Sequence, residues 1–360
     1  PGGVYLISGG AGGPKPNRAR PLDRDLASKP APAVTQQVTS GTGRPKVVFM
    51  FTGQGAQYPG MGLELYNHYA DFRETMDHCS GLLEPHLDRS LVDLLYGARA
   101  SQAQLDQTFF TQTTLFALEY SLARLLQGFG IEPDALMGHS VGEYVAACIA
   151  GVWSLPDAIA ALATRARLMQ ALPSGGAMAA ILLDEDAVRA LIGDRRERVC
   201  ISSLNGARSN VISGVAEDVG AVCAAAEEAG AKAVRLAVSH AFHSPLMEPM
   251  LPKFREALAV FPMQPPQRPV VSNLSGDWAG NAMATPTYWC RHVREPVAFF
   301  RSIDTLHSAG YAVFLEVGPR PTLSSMGRQC VPEAKVAWLN TLRPGASDLE
   351  ELRGTLVRLD

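Results

Sequence analysis

The sequence has no marked excess of charge of either sign and no long apolar run. Lys plus Arg number 32 and Asp plus Glu number 35, which gives a formal net charge of −3. A chain with this balance has no global positive field to attract nucleic acid or an anionic membrane surface, so we expect it to bind neither. Its longest uncharged, mainly apolar run, residues 168–183, is broken by Pro173, Gly175 and Gly176. The run is also shorter than the roughly 18 to 20 residues of a membrane-spanning helix.

The six cysteines form no C-x-x-C pair and have no histidine at zinc-finger spacing. This pattern favours buried thiols in a reducing, cytoplasmic compartment over a zinc site, and we expect no bound metal. Residues 1–13 have no basic segment before a long apolar core, so no secretory signal is predicted. Because the first residue is Pro1 and not Met, we expect the chain to be a fragment of a longer polypeptide.

The composition is that of a folded chain with a linker at its start. Of 360 residues, 47% are apolar and 19% charged, enough for two domains or for one large domain with an insertion. Among the first 45 residues, however, 7 are Pro and 8 are Gly. Both residue types break helix and strand periodicity, so residues 1–45 are predicted to be a linker or extended arm.

An α/β organisation follows the linker. A buried strand is predicted over 46–51, followed by a glycine turn, and alternating helices and strands continue beyond it. From residue 176 the order becomes β-α-β-β-α-β, which is the arrangement of a ferredoxin-like unit. The predicted division has a linker over 1–45, a large α/β subdomain over 46–175 and 239–345, a small ferredoxin-like subdomain over 176–238, and a trailing linker helix over 346–360.

The segment Gly138-His-Ser-Val-Gly142 fits the G-x-S-x-G nucleophile elbow. A short predicted strand precedes it and a small-residue helix follows it, which is the context that such an elbow requires. Ser140 would project from the turn, with the amide of Val141 and the positive end of the helix dipole near a developing oxyanion. The alternative is a structural turn whose glycines serve only the backbone.

A serine nucleophile needs a base, and histidines are the candidates. His139 is adjacent to Ser140, and neighbouring side chains point apart at such a turn, which favours a structural role. His240 and His243 follow the last predicted strand of the small subdomain, and the order serine then histidine is that of hydrolases. The alternatives are a metal-binding pair or two helix-surface residues, but no carboxylate or cysteine lies at ligand spacing from the two histidines.

Arg165 lies 25 residues after Ser140 on a predicted helix. A helical arginine usually belongs to a solvated face. If Arg165 is buried near Ser140, its guanidinium would instead hold a carboxylate through two parallel hydrogen bonds. It would then select an acyl group that carries its own free acid.

Several motifs in order resemble the acyltransferase domains of type I polyketide and fatty acid synthases, and the freestanding malonyl-CoA:acyl carrier protein transacylases. The resemblance covers residues 46–345 and implies an α/β fold whose hydrolase-like large subdomain carries an inserted ferredoxin-like small subdomain. The motifs are Phe51-Thr-Gly-Gln-Gly-Ala-Gln57, Gly138-His-Ser-Val-Gly-Glu-Tyr144, Arg165, Ala241-Phe-His-Ser244 and Glu316-Val-Gly-Pro319.

The resemblance also implies a reaction and a role for each matching residue. Ser140 would take the malonyl group from malonyl-CoA with His243 as base, then pass it to the phosphopantetheine thiol of an acyl carrier protein, with no bound cofactor. The amides of Gln54 and Val141 would hold the oxyanion, and Arg165 the substrate carboxylate. The family uses a backbone carbonyl to orient the base, which the match assigns to His292.

Substrate choice and partners are further implications. Members that take malonyl tend to have His-Ala-Phe-His where this chain has residues 240–243, and Phe242 would leave no room for a methyl branch. Phe242 and His139 are therefore counted with Arg165 as substrate-binding candidates. Thr52 stands where many members have proline, a change we expect the turn to tolerate. The partners implied are an acyl carrier protein, a coenzyme A thioester and a flanking ketosynthase domain.

Two other functions remain open on sequence alone. The first is a serine esterase of α/β type, which would hydrolyse neutral esters without needing Arg165. The second is a non-catalytic docking or scaffold domain, for which an intact Ser140 and His243 are a poor fit. The preferred hypothesis is a malonyl-CoA:acyl carrier protein acyltransferase of polyketide biosynthesis.

Overall fold

A computed structural model of the chain describes residues 44–360, so the linker predicted over 1–45 lies almost wholly outside the described residues. The strands are β1 (Val47–Phe51), β2 (Ala135–Gly138), β3 (Gly176–Ile181), β4 (Val199–Gly206), β5 (Ser209–Val215), β6 (Ala233–Arg235), β7 (Val270–Val271), β8 (Val313–Glu316) and β9 (Ala337–Asn340). The helices are α1 (Leu63–His68), α2 (Ala70–Leu83), α3 (Leu91–Tyr96), α4 (Gln102–Leu105), α5 (Thr108–Gly128), α6 (Gly142–Ile149), α7 (Leu155–Gln170), α8 (Glu185–Ile192), α9 (Ala216–Glu228), α10 (Leu251–Leu258), α11 (Pro286–Arg294), α12 (Phe299–Ser308), α13 (Thr322–Cys330) and α14 (Asp348–Leu359). Short 3-10 segments lie at Gly193–Glu197, Pro245–Met250 and Asn281–Ala284.

A parallel sheet forms the centre of the large subdomain. Its five strands follow the order β7-β2-β1-β8-β9, and β1 is buried along its whole length. Its apolar sequence, VVFMF, suits a strand that is covered on both faces. Phe51 at the end of β1 lies beside Gly138 at the end of β2. The turns that follow these strands therefore meet at one edge of the sheet, where open α/β folds place their sites.

A second, antiparallel sheet has the strand order β4-β5-β3-β6. Helices α8 and α9 pack against it, and the unit has its own apolar cluster, which includes Ile181, Val188 and Val222. The succession β3-α8-β4-β5-α9-β6 is the predicted ferredoxin-like order, so the predicted fold class is confirmed. The limits predicted for this small subdomain, residues 176–238, stay a prediction.

One extended segment joins the small sheet to the large subdomain. The Val297 amide donates to the Ser202 carbonyl at 3.0 Å, and the Leu204 amide donates to the Val297 carbonyl at 2.9 Å. Val297 thus forms an isolated parallel bridge with Ser203 of β4. The next residue, Ala298, leads into α12 of the large subdomain.

Helix α14 differs from the predicted linker helix over 346–360. Leu352 and Leu356, one turn apart, lie in the main apolar cluster of the large subdomain. Hydrogen bonds fix the helix as well: the Thr355 hydroxyl donates to the Asn340 carbonyl at 2.6 Å, and the Asn340 side chain donates to Glu351 at 2.7 Å. The large subdomain therefore continues to the end of α14.

Candidate active site

Ser140 lies on the tight turn between β2 and α6. Its φ is 52°, in the left-handed region that non-glycine residues rarely adopt. The flanking glycines are required by space: a Cβ on Gly138 would overlap the backbone of Gly142 and Glu143, and one on Gly142 would overlap the backbone of Phe51. This crowding explains why the motif needs glycine on both sides of the serine.

His243 reaches Ser140 from a loop 103 residues further along the chain. The Ser140 hydroxyl lies 2.7 Å from Nε2 of His243, and the other ring nitrogen, Nδ1, lies 2.9 Å from the carbonyl oxygen of Glu295. Nδ1–H donating to that carbonyl leaves Nε2 free to accept the serine proton. Ser244 stabilises the loop, because its hydroxyl donates to the Ala241 carbonyl at 2.6 Å.

The carbonyl that orients His243 differs from the sequence-based assignment. The hydrogen bond goes to Glu295, three residues beyond His292. Helix α11 ends at Arg294, and Glu295 has extended backbone, so its carbonyl turns out of the helix and toward the ring. The His292 carbonyl makes a smaller contribution, which also raises the pKa of His243.

The surroundings of His243 favour the neutral imidazole. Burial lowers its pKa from 6.5 to about 3, and the positive charge of Arg165 acts in the same direction. A neutral ring with Nδ1–H oriented by a carbonyl can accept a proton at Nε2. Ser140 and His243 therefore lie at hydrogen-bond distance, with the imidazole in its neutral form.

The two amides assigned to the oxyanion lie on turns that touch each other. Val141 precedes the first residue of α6, and Gln54 lies in the turn after β1. A Cβ on Gly53 would lie only 2.9 Å from the His139 carbonyl, so the two turns approach backbone to backbone. Within residues 44–360, neither amide N–H donates a hydrogen bond. Both stay available to a ligand.

Thr52, the residue that departs from the family pattern, fixes the first of these turns. Its amide donates to the Glu119 carboxyl at 2.9 Å, and its hydroxyl also donates to the same oxygen. Burial raises the pKa of Glu119 well above its ordinary value. Proline at position 52 would have neither donor, so the threonine ties the turn to helix α5.

Arg165 is buried, with 1% of its surface exposed, on the inner face of α7. Leu162 and Met169, three residues before and four after it, lie on the same face. Its Nη1 donates to Oε1 of Gln112 at 2.5 Å, its guanidinium lies 5.3 Å from the Tyr144 ring centroid, and its Nε has no partner in the described chain. No carboxylate among residues 44–360 forms an ion pair with it. The Arg165 guanidinium is a buried cation with an unused hydrogen-bond donor.

The other histidines and Phe242 have different surroundings. Nε2 of His139 lies 3.0 Å from the Asn205 side-chain oxygen and 3.2 Å from the Ser203 hydroxyl, so this ring joins the elbow to β4. These contacts fit a structural role for His139. The His240 ring nitrogen donates to the Leu172 carbonyl at 3.2 Å. Phe242 is 8% exposed, and its ring centroid lies 6.1 Å from that of His240.

Besides the Glu295 carbonyl, sequence reasoning missed four side chains of this site. Asn273 hydrogen-bonds the elbow, Glu143 accepts from the Asn273 amide and from the Tyr288 hydroxyl, and Gln112 binds Arg165. The one available signal for Asn273 was a polar residue close behind the apolar pair that forms β7. Nothing in the spacing of Gln112 marks it as the neighbour of an arginine 53 residues away.

No metal site or membrane-spanning helix is found in the described part of the chain. Across residues 44–360, no group of three or more His, Cys, Asp or Glu side chains could hold a metal ion. None of the helices over this range is long and apolar enough to cross a membrane. The six cysteines are unpaired; Cys79, Cys148, Cys223 and Cys290 are buried.

Comparison with known proteins identifies the family. A family model described as an acyl transferase domain matches residues 48–360. The spectinabilin polyketide synthase system protein NorB of Streptomyces orinoci is 42% identical over 88% of this chain. The chain spans only 14% of that protein.

Solved structures support the same family assignment. The acyltransferase domain from the second module of the salinomycin polyketide synthase superposes with a TM-score of 0.85 at 40% identity, covering 93% of this chain and 78% of that one. A complex of a type II polyketide synthase acyl-carrier protein with its malonyl-transacylase gives a TM-score of 0.78 at 29% identity, with coverage of 86% of this chain and 99% of that one. The chain belongs to the acyltransferase domains of type I polyketide synthases.

Proposed function

We propose that this domain transfers a malonyl group from malonyl-CoA to the phosphopantetheine thiol of an acyl carrier protein, through an ester on Ser140. The observation that carries the proposal is the pairing of two features in one site. Ser140 and His243 form a nucleophile and base at 2.7 Å, and the uncompensated Arg165 guanidinium is close enough to shift the pKa of that base. A malonyl group has a thioester for the first feature and a free carboxylate for the second.

In the first half-reaction, Ser140 Oγ attacks the thioester carbonyl and its proton passes to Nε2 of His243. The resulting oxyanion accepts hydrogen bonds from the amides of Gln54 and Val141. Collapse of this intermediate breaks the carbon–sulfur bond, and His243 returns the proton to the departing coenzyme A thiolate. The enzyme now holds a malonyl ester.

In the second half-reaction, the carrier protein's phosphopantetheine thiol gives its proton to His243 and attacks the ester. The oxygen–carbon bond breaks, Ser140 recovers the proton from His243, and the malonyl group leaves as a new thioester. The solved complex of a related malonyl-transacylase with its carrier protein supports this choice of partner. A flanking ketosynthase fits the polyketide synthase relatives, since this chain spans only 14% of the length of NorB.

Phe242 supports malonyl over its branched analogues. It lies one residue before the base and is 8% exposed, and our proposal puts its ring beside the α-carbon of the bound acyl group. A methyl branch on the α-carbon would have to displace that ring. One methyl group in a pocket changes selectivity by about 1–3 kcal/mol.

Intact-mass analysis tests the proposal. After incubation with malonyl-CoA, the wild-type chain should gain one malonyl group, and Ser140→Ala should gain none. Ser325→Ala, which removes an exposed hydroxyl on α13, should load like wild type. Added holo carrier protein should then remove the adduct. No adduct on wild-type protein, or rapid net hydrolysis of neutral esters that is indifferent to Arg165→Ala, would favour the esterase alternative.

A further inference from the structure

Every polar group of Asn273, in the side chain and in the backbone, forms a hydrogen bond with an element close to the nucleophile. Its side-chain oxygen accepts from the Ser140 amide at 2.6 Å, and its side-chain nitrogen donates to the Gly138 carbonyl. Its own amide donates to Oε2 of Glu143 at 2.5 Å, and its carbonyl accepts from the Ala298 amide at 2.8 Å. No other residue of the described chain hydrogen-bonds the backbone on both sides of His139 through one side chain.

The elbow needs such a brace at Ser140 itself. Strand β2 ends at Gly138, and the His139 amide still donates to the Phe51 carbonyl of β1 at 2.9 Å, but the Ser140 amide donates to no backbone carbonyl of the described chain. Ser140 has a φ of 52°, a conformation that its side chain disfavours. The Asn273 amide plane fixes the Gly138 carbonyl and the Ser140 amide together, and with them the direction in which the Ser140 side chain projects.

Asn273 is itself held rigidly. It is 2% exposed and follows the edge strand β7 by two residues. Glu143 accepts from the Asn273 amide through one oxygen and from the Tyr288 hydroxyl through the other. The Tyr288 hydroxyl also lies 2.6 Å from that of Ser272. These contacts leave the asparagine side chain little freedom to rotate.

The same residue connects the nucleophile with the segment that orients the base. The Asn273 carbonyl bonds Ala298, and the carbonyl of Glu295, three residues earlier, holds Nδ1 of His243. Between them, Val297 pairs with β4 of the small subdomain. The backbone of residues 295–298 thus contacts both Asn273, which holds Ser140, and the ring of His243.

We infer that Asn273 is a positioning residue that sets the approach of Ser140 Oγ to His243 Nε2. The inference rests on the proposed function only in taking Ser140 as the nucleophile. Loss of the asparagine side chain would leave the fold and the thioester-binding groups in place but let the elbow relax. A displacement of about 1 Å at a reacting group can cost about 100-fold in rate.

A fluorophosphonate ester tests Ser140 without any acyl-CoA. The serine oxygen forms a bond to phosphorus, fluoride leaves, and the serine proton passes to His243. We expect Asn273→Ala to lower the phosphonylation rate at saturating reagent by about 10- to 100-fold. The half-saturating concentration and the final labelled fraction should match wild type. Asn281→Ala, an exposed asparagine on a 3-10 segment, is the matched control and should react at the wild-type rate.

A wild-type rate in Asn273→Ala overturns the inference. So does a lower final labelled fraction with an unchanged rate, because that pattern means only that less protein is folded. If Asn273→Ala does not fold, Asn273→Asp replaces it in the test. The aspartate keeps the acceptor for the Ser140 amide and loses the donor to the Gly138 carbonyl, so we expect a smaller loss of rate. An unchanged phosphonylation rate in Asn273→Asp would then overturn the inference. Malonyl-CoA loading of the same samples separates the two proposals, since wild-type protein that reacts with the phosphonate but not with malonyl-CoA refutes only the proposed function.

Discussion

Arg165 donates through Nη1 to the side-chain oxygen of Gln112 at 2.5 Å, deep in the large subdomain. Its partner is a neutral amide, so the guanidinium charge is uncompensated within residues 44–360. A buried charge without an opposite charge is costly, and an anion that reaches it is bound more strongly than at the surface. The proposed selectivity for an acyl group that carries a carboxylate rests on this uncompensated charge.

Arg165→Ala should separate malonyl from acetyl transfer. We expect loading from malonyl-CoA to fall by about 30-fold or more, the equivalent of about 2 kcal/mol, while loading from acetyl-CoA changes far less. Loading rates read by intact mass provide the measurement. Arg167→Ala, on the exposed face of the same helix, should leave the ratio of the two rates unchanged. Equal losses for both thioesters in Arg165→Ala would mean that the arginine only supports the fold.

Phe242→Ser should widen the choice of substrate. Removing the ring makes room for an α-methyl group, so the ratio of methylmalonyl to malonyl loading should rise by about 5- to 150-fold. A competition between the two thioesters, read by the mass of the adduct, measures this ratio directly. An unchanged ratio would show that Phe242 does not contact the α-carbon and is only a core aromatic.

Glu143→Gln should change how stability depends on pH. Burial raises the pKa of Glu143 from 4.5 to about 8, so the folded chain keeps a proton that the unfolded chain releases. The stabilisation is complete below the ordinary pKa and is lost as pH rises toward 8. We expect the wild-type chain to lose more stability than Glu143→Gln between pH 6.5 and 8, measured by urea unfolding. Glu256→Gln, at an exposed position, should follow wild type, and parallel curves for all three would refute the prediction.

Leu352→Ala should destabilise the whole domain. Leu352 of α14 is 1% exposed in the main apolar cluster, whereas Val357 on the same helix is 58% exposed. We expect Leu352→Ala to reduce the free energy of unfolding by about 2–5 kcal/mol. Val357→Ala should stay within about 0.5 kcal/mol of wild type. If urea unfolding finds the two variants equal, α14 behaves as a separate linker helix after all.

The sequence predicts best what is decided locally. The apolar run before the first glycine turn, the glycines around Ser140 and the alternation of elements in the small subdomain each follow from neighbouring residues. The order of motifs then brought Ser140, His243 and Arg165 into one hypothesis. The sequence also locates helix α14. It does not predict that the helix is buried, because leucines one turn apart suit a linker helix as well as a packed one.

The remaining parts of the site depend on contacts between distant segments. Glu295 orients His243 through its backbone, so the identity of its side chain carries no signal. Asn273 reaches the elbow only because β7 lies beside β2 in the sheet. Gln112 meets Arg165 where α5 packs on α7. None of these pairings has a spacing that a single sequence can reveal.

The bridge between Val297 and β4 has a consequence for protein engineering. Chimeras that exchange only residues 176–238 with a homologue would replace one side of this pairing and retain the other. In such a chimera, β4 from one protein would pair with Val297 from another, close to Ser140 and His243. Grafts that bring residues 295–298 along with the donor's small sheet should yield active hybrids more often.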